Sequence, residues 1–240
     1  MSYDLTKFKK AVEELNIALT EEQYKQYVMY YEMLVEKNKV MNLTGITEFE
    51  DVMLKHFVDS LAIVKVMDMS KVSSLIDVGT GAGFPGVPIK IAFPHIDVVL
   101  LDSLNKRLLF LDEVINALGL ENIKTVHGRS EDIGKNINYR EKFDLCTSRA
   151  VANMSVLSEL CIPFIKVDGV FMAYKAGGSD EELNDAGNAI RILGGKIDNI
   201  YKMNLPDSDI ERIFAKIVKI KDTPKKFPRK AGTPSKEPLK

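Results

Sequence analysis

Two acids and a set of closely spaced glycines are the residues of this chain best placed to do chemistry. Asp77, Gly79, Gly81, Gly83 and Gly86 lie within Ser74-Leu75-Ile76-Asp77-Val78-Gly79-Thr80-Gly81-Ala82-Gly83-Phe84-Pro85-Gly86, and Asp102 ends the next apolar run, Val98-Val99-Leu100-Leu101. Leu75 to Val78 has strand length, the glycines make a turn, and a helical segment is predicted from about Val87. Such a turn needs positive φ, and a ligand approaches a backbone closely only where no Cβ intervenes. A nucleotide or nucleoside ligand is therefore expected. Gly81 to Gly86 fits the G-x-G-x-x-G pattern that holds a pyrophosphate in dinucleotide sites. Asp77 argues the other way, because an anion there repels phosphate and attracts a cation such as the sulfonium and ammonium of S-adenosylmethionine. Asp102 is placed to accept hydrogen bonds from both ribose hydroxyls, and does so equally for either ligand.

The elements that must position these residues follow from periodicity. Residues 1–70 read as helices. Leu5, Phe8, Val12 and Leu15 make one apolar face; Thr20-Glu21-Glu22-Gln23 has the form of a capping box before a stripe containing Tyr24, Tyr27, Val28, Tyr31 and Leu34. The tyrosines are expected to pack rather than to stack on bases. A third helix is predicted from Thr47, capped through Glu50 and carrying His56 and Asp59, which are read as a hydrogen-bonded pair between the helices and the sheet. From about Lys71 strands and helices alternate, with further strands at Ile123 to Val126, Phe143 to Thr147 and Gly169 to Tyr174. Residues 105–118 and 154–165 read as helices, and Tyr201 to Leu205 with Ile213 to Val218 suggest a closing antiparallel pair. Three regions are expected: helices over 1–70, an α/β unit over 71–221 and a basic, proline-rich arm over 222–240. Alternation of this kind builds a mostly parallel sheet that binds ligands beyond its carboxyl edge.

Candidate residues accordingly fall just after strands. His127-Gly128-Arg129-Ser130-Glu131-Asp132 follows the third strand, where such folds hold adenine; Ser148 and Arg149 follow the fourth; Lys175 follows the fifth. Arg149 and Lys175 are two cations expected on one rim, and Lys225, Lys226, Arg229 and Lys230 make the arm a candidate contact for a phosphate backbone.

Composition narrows the field. Lysine plus arginine number 33 against 34 acids in 240 residues, so no global field draws the chain to nucleic acid and any basic surface is local. No apolar run has membrane-spanning length, and Met1-Ser2-Tyr3-Asp4 opens no secretory signal. Cys146 and Cys161 both lie in apolar segments, which points to buried, reduced thiols and a cytoplasmic setting. The histidines and cysteines lack metal-ligand spacing, so no metal is expected.

Taken together, Asp77 to Gly86, Met41-Asn42-Leu43-Thr44, His56-Phe57-Val58-Asp59-Ser60, Leu101-Asp102-Ser103, Ser148-Arg149-Ala150 and Pro228-Arg229-Lys230-Ala231-Gly232-Thr233-Pro234 resemble the bacterial RsmG (GidB) methyltransferase family over nearly the whole chain. The resemblance implies a Rossmann-like, class I S-adenosylmethionine-dependent methyltransferase. It further implies methylation of guanine N7 in 16S ribosomal RNA, on the RNA or the small subunit; separately from the resemblance, a monomer is expected. The resemblance places Gly79, Phe84, Ser130, Glu131 and Arg149 around the donor, where Ser103, next to Asp102, is a further candidate, and suggests Lys175 and the Arg229-Lys230 arm as RNA contacts. Members often carry alanine at the position of Ser130, which leaves its backbone rather than its hydroxyl for adenine. Guanine N7 carries no proton, so in-line attack needs no general base, and none is assigned. Consistently, Thr147-Ser148-Arg149-Ala150 lacks the acid or amide, prolines and aromatic expected of an amino-group methylator, and Cys146 lies inside a strand where no turn presents it as a nucleophile. The alternatives are a nicotinamide-dependent oxidoreductase, a non-catalytic RNA-binding module, and a methyltransferase acting on a small molecule or protein.

Overall fold

The computed structural model describes residues 3–149, 152–178 and 180–240; Met1, Ser2 and Ala150, the last of which closes the Ser148-Arg149-Ala150 motif, lie outside the described residues. Helix α1 (Thr6–Glu14) buries Phe8, Ala11 and Val12. Helix α2 (Glu21–Met41) starts from the capping box of Thr20 and Gln23, buries Tyr24, Tyr27, Tyr30 and Tyr31, and ends at Asn42 with left-handed φ 49°. Asparagine tolerates that conformation, which satisfies the last helical carbonyls and turns the chain.

The third helical segment departs from expectation. It begins at Phe49, with Glu48 before it and no side-chain cap: α3 (Phe49–Val52) runs into a π-helical turn, Met53–Val58, then α4 (Asp59–Leu61) and a tight turn, Ala62–Lys65. Thr47 caps nothing, and its carbonyl accepts from the Tyr31 hydroxyl at 3.1 Å. The wider turn lies under His56, and such irregularities collect at functional positions.

Seven strands then form one sheet in the order β3-β2-β1-β4-β5-β7-β6. They are β1 (Ser74–Val78), β2 (Asp97–Asp102), β3 (Ile123–His127), β4 (Phe143–Arg149), β5 (Ile165–Ala176), β6 (Gly195–Asn204) and β7 (Glu211–Lys219). The first five are parallel, while β7 runs antiparallel between β5 and β6, as the closing pair predicts. Strand order reverses between β1 and β4, so the crevice beyond Val78 and Arg149 is the switch point at which such sheets take ligands.

One face is covered by the N-terminal helices with α5 (Gly86–Ala92) and α6 (Asn105–Ala117). The other is covered by α8 (Met154–Cys161), α9 (Asp180–Asp185) and α10 (Gly187–Ile192), with the buried, free Cys146 and Cys161 between sheet and helices. Helices α9 and α10 lie in a stretch whose sequence reads only as polar. Each is six residues long, and buried Leu183, Ala189 and Ile190 are too few to make a period. Pro163 ends α8 early, in a tight turn at Ile162–Phe164 that feeds β5. Among the described residues no helix is long and apolar enough to cross a membrane.

Candidate functional site

Beyond the carboxyl ends of β1 to β4 lies a cavity of about 560 Å³, lined by Gly79, Gly81, Phe84, Asp102, Ser103, Ser130, Glu131 and Arg149 among others. Eight of the predicted donor-contact residues are thus brought together. Asp77 and Gly83 are not on that wall.

Asp77 is fully buried behind the glycine loop. Its Oδ2 accepts from the Thr80 hydroxyl at 2.7 Å and the Gly86 amide at 3.0 Å, and its Oδ1 accepts from the Thr147 hydroxyl at 3.2 Å. The expectation that this carboxylate faces the ligand is corrected: it is fully buried, off the cavity wall, and its three donors hold the loop. Burial pushes its pKa up to about 6 even though those three donors pull it down. Gly86 lets this happen, since a Cβ there would stand 2.4 Å from Leu100 and 3.0 Å from the Asp77 carboxylate. Gly83, at φ 100°, serves packing instead of ligand approach; a Cβ would lie 2.5 Å from the Tyr30 hydroxyl. That hydroxyl donates to the Ala82 carbonyl, and the Tyr27 hydroxyl donates to the Pro88 carbonyl at 2.7 Å. The buried tyrosines of α2 therefore brace the loop from behind.

Asp102 does face the cavity, where it is 4% exposed. Its Oδ2 accepts from the Gly81 amide at 2.9 Å and its Oδ1 from the Leu104 amide at 2.8 Å, with Arg107 at 3.5 Å. Two amides thus orient the carboxylate; Oδ1 keeps a further lone pair for a hydroxyl, and Oδ2 offers a second only in place of the long Arg107 contact. Ser130 opens the short helix α7 (Ser130–Ile133), and its hydroxyl donates to the Leu160 carbonyl at 2.6 Å, which leaves only its backbone toward the cavity. Glu131 accepts from the Gly232 amide at 2.8 Å and so ties the arm to the cavity, where Gly232 and Ser235 form part of the wall.

Arg149 stands over the Phe84 ring at 5.0 Å. It donates to Asp59 Oδ2 at 2.7 Å and shares a 3.2 Å contact with His56 Nδ1. Since Arg149 can only donate, Nδ1 is the acceptor, and the proton on Nε2 points to the Thr44 hydroxyl at 2.8 Å. Burial first, and Arg149 second, lower the His56 pKa to about 4, so the ring is neutral at pH 7. It stacks on Phe84 with centroids 4.6 Å apart. Contrary to the expected pairing, His56 and Asp59 are not bonded to each other; they clasp Arg149, and Asp59 Oδ1 also accepts from Arg212 at 2.6 Å.

Lys175 is absent from this wall. Its side chain is 10% exposed and donates to Glu182 and to the Ala152 carbonyl, each at 2.6 Å, beside a second cavity that shares His56 and Arg149 with the first. Arg229 is also reassigned. Its guanidinium grips the buried Glu159 through Nη2 at 2.7 Å and Nε at 3.0 Å, so it anchors the arm and is not free for RNA. The arm folds onto the molecule with Phe227 and Pro234 buried and a short helix, α11 (Thr233–Lys236), near the cavity. Lys226 and Lys230 remain exposed. Lys225 lines a depression with Lys142 and Lys166 at the amino ends of β4 and β5, the end of the sheet opposite the first cavity.

Sequence reasoning missed Arg107, Glu182 and Arg212. Arg212 alternates correctly for its strand, but nothing local says that its partner is Asp59, 153 positions away. Among the described residues no group of three acids, histidines or cysteines is arranged for a metal.

Comparison with known proteins finds that the GidB family model, described as rRNA small subunit methyltransferase G, matches residues 23–211. Proteins named ribosomal RNA small subunit methyltransferase G from Lachnoclostridium phytofermentans and Bacillus velezensis are 48% and 50% identical, covering 98% of this chain and 98% and 99% of theirs. Among solved structures, the Bacillus subtilis YcgJ protein aligns with TM-score 0.53 at 13% identity, covering 69% of this chain and 100% of that one. The Methanococcus jannaschii fibrillarin pre-rRNA processing protein aligns with TM-score 0.52 at 18% identity, covering 67% and 74%. These two likenesses bear on the fold alone.

Proposed function

The chain belongs to the rRNA small subunit methyltransferase G family, GidB, and from that premise we propose that it methylates N7 of a guanine in 16S ribosomal RNA with S-adenosylmethionine as donor. The observation that carries this reading is the cavity at the switch point, where a glycine loop, the Asp102 carboxylate and the Glu131 turn face one another. The residues fit the donor. Asp102 offers oriented lone pairs to the ribose hydroxyls, the backbone at Ser130 and the side chain of Glu131 border the adenine, and Phe84 with Arg149 borders the methionine end. Bound there, S-adenosylmethionine would offer a sulfonium methyl to the in-plane lone pair of N7, with the bonding electrons left on sulfur and the positive charge passed to the base.

The protein's own work is positioning. No side chain removes a proton, because N7 holds none, so rate comes from alignment and electrostatic setting. Asp77, Thr80, Thr147 and Tyr30 hold the loop to which the donor binds. Asp59 balances Arg149 beside the reacting atoms, and the neutral His56 adds no further positive charge where the base acquires one. The neighbouring exposed lysines of the arm, Lys226 and Lys230, and more distantly Lys225, serve as phosphate contacts. The working unit is a monomer acting in the cytoplasm.

The test uses small subunits from a strain lacking this protein, incubated with the chain and methyl-labelled donor. Label in the RNA, with one new site of the borohydride and aniline cleavage that marks 7-methylguanosine, is expected. Label without such cleavage excludes N7. No label on any nucleic acid, with tight NAD binding, would favour the oxidoreductase.

A further inference from the structure

The second cavity, about 720 Å³, opens beside the first and shares His56 and Arg149 with it. Most of its polar lining donates hydrogen bonds. Of its two carboxylates, Asp59 is 2% exposed and bridges Arg149 and Arg212. Glu182 is different: its side chain is 31% exposed, and it uses one oxygen on Lys175 at 2.6 Å. An ammonium and a partly open carboxylate thus stand side by side on one wall, next to the chamber in which the methyl donor lies.

That order of groups has a chemical complement. Along its Watson–Crick edge guanine presents O6 as an acceptor, then N1–H and N2–H as two adjacent donors, which a carboxylate takes together. Adenine and cytosine place an acceptor beside their single amine, and uracil has one N–H between two carbonyls. Lysine at O6 and glutamate at N1–H and N2–H therefore select guanine by pairing its groups and leaving those of the other bases unpaired. N7 belongs to the opposite side of the purine from N2, so a base held in this way turns N7 away from Glu182; His56 and Arg149, the wall shared with the donor chamber, line the same cavity.

We propose that the second cavity seats the target guanine and that Glu182, held by Lys175, reads its N1–H and N2–H. This rests on the guanine-N7 reading above and adds to it the residue that sets base specificity.

The test compares small subunits reconstituted with guanosine or inosine at the modified position. Inosine keeps N7, O6 and N1–H and lacks only the N2 amine. The wild-type enzyme should lose roughly ten- to a hundredfold in kcat/KM on inosine, the discrimination expected of a bidentate contact. Glu182→Gln should be slow on guanosine and bring the inosine-to-guanosine ratio close to one. Its affinity for S-adenosylmethionine should match wild type, because Glu182 does not line the donor cavity. Should Glu182→Gln lose donor affinity, Glu182→Ala is read in the same way. A residue that merely neutralised Lys175 would leave the ratio at its wild-type value, and that result overturns the proposal, as does a wild-type enzyme indifferent to inosine. Failure of wild type to methylate guanosine at N7 would instead overturn the preceding reading, and the guanosine control separates the two.

Discussion

The two rims of the first cavity are held by different means. On the glycine-loop side Asp77 accepts from Thr80 and Gly86, three and nine positions along the chain. On the arm side Glu131 accepts from Gly232 and Glu159 pairs with Arg229, at separations of 101 and 70 positions. The first rim is fixed within its own segment and again by Thr147 of a neighbouring strand and by Tyr30 and Tyr27 of α2, so it is held from several sides. The second is a strap held by long-range contacts, among them Arg140 with the Thr223 and Phe227 carbonyls and Glu141 with the Thr223 amide, and a terminal element held in this way opens at lower free energy than the core. A carboxylate's task is thus decided by the donors that reach it. Asp77, in the motif, supports the loop; Glu131 and Glu159, outside it, fasten the lid.

Breaking the strap should give the largest effect. Glu159→Ala leaves Arg229 without its buried partner, and since the Arg229 side chain is 24% exposed the cost falls at about 2–4 kcal/mol, below that of a fully buried pair. Trypsin should then cut at Lys225, Lys226 and Lys230 while hydrogen exchange at Gly79 to Phe84 stays slow. An arm still protected in this variant would erase the contrast between the rims.

The loop is broken by removing its acceptor. Asp77→Ala strands the Thr80 and Thr147 hydroxyls and the Gly86 amide, and should weaken donor binding by about 1.5–3 kcal/mol in titration calorimetry. Asp77→Asn keeps an oxygen for two of those donors and should retain most of the affinity. Equal losses in the two variants would mean that the negative charge itself matters, as the sequence alone suggests.

The strand, the alternate glycines and the acid at the next strand end are local patterns, and they suffice to locate the cavity, its fold and Asp102. The direction in which Asp77 points is not a local property, because it depends on Thr147 from a neighbouring strand and on a glycine packed against it. Arg229 misleads for the same reason: a basic, proline-rich tail looks free until Glu159, hidden in a helix 70 positions earlier, is placed beneath it. Helices α9 and α10 are too short for periodicity to reveal.

A smaller effect concerns the wall behind Phe84. His56 has a folded pKa of about 4 against 6.5 in a free chain, through burial and then Arg149. Its contribution to stability is fully present above about pH 6.5 and is lost as pH falls toward 4, at no more than about 1.4 kcal/mol per pH unit. Asp77, raised to about 6, titrates with the opposite sign, so the slope is read as the difference in urea midpoint between wild type and His56→Gln. A pH-independent difference would contradict the neutral ring.

The smallest effect separates anchoring from RNA contact within the arm. Neutralising Lys225, Lys226 and Lys230 together should lower the salt dependence of RNA binding by up to about one unit of slope for each lysine that neutralises a phosphate, with donor affinity unchanged. Adding Arg229→Ala should reduce donor affinity as well, because Gly232 and Ser235 would leave the cavity wall.

The most direct measurement is a crystal structure with adenosylhomocysteine. The ligand is expected between Gly79 to Phe84 and Gly232, its ribose hydroxyls on Asp102, with the Asp77 carboxylate still bonded to Thr80 and out of contact. An empty cavity, or a ligand amine seated directly on Asp77, would contradict the account.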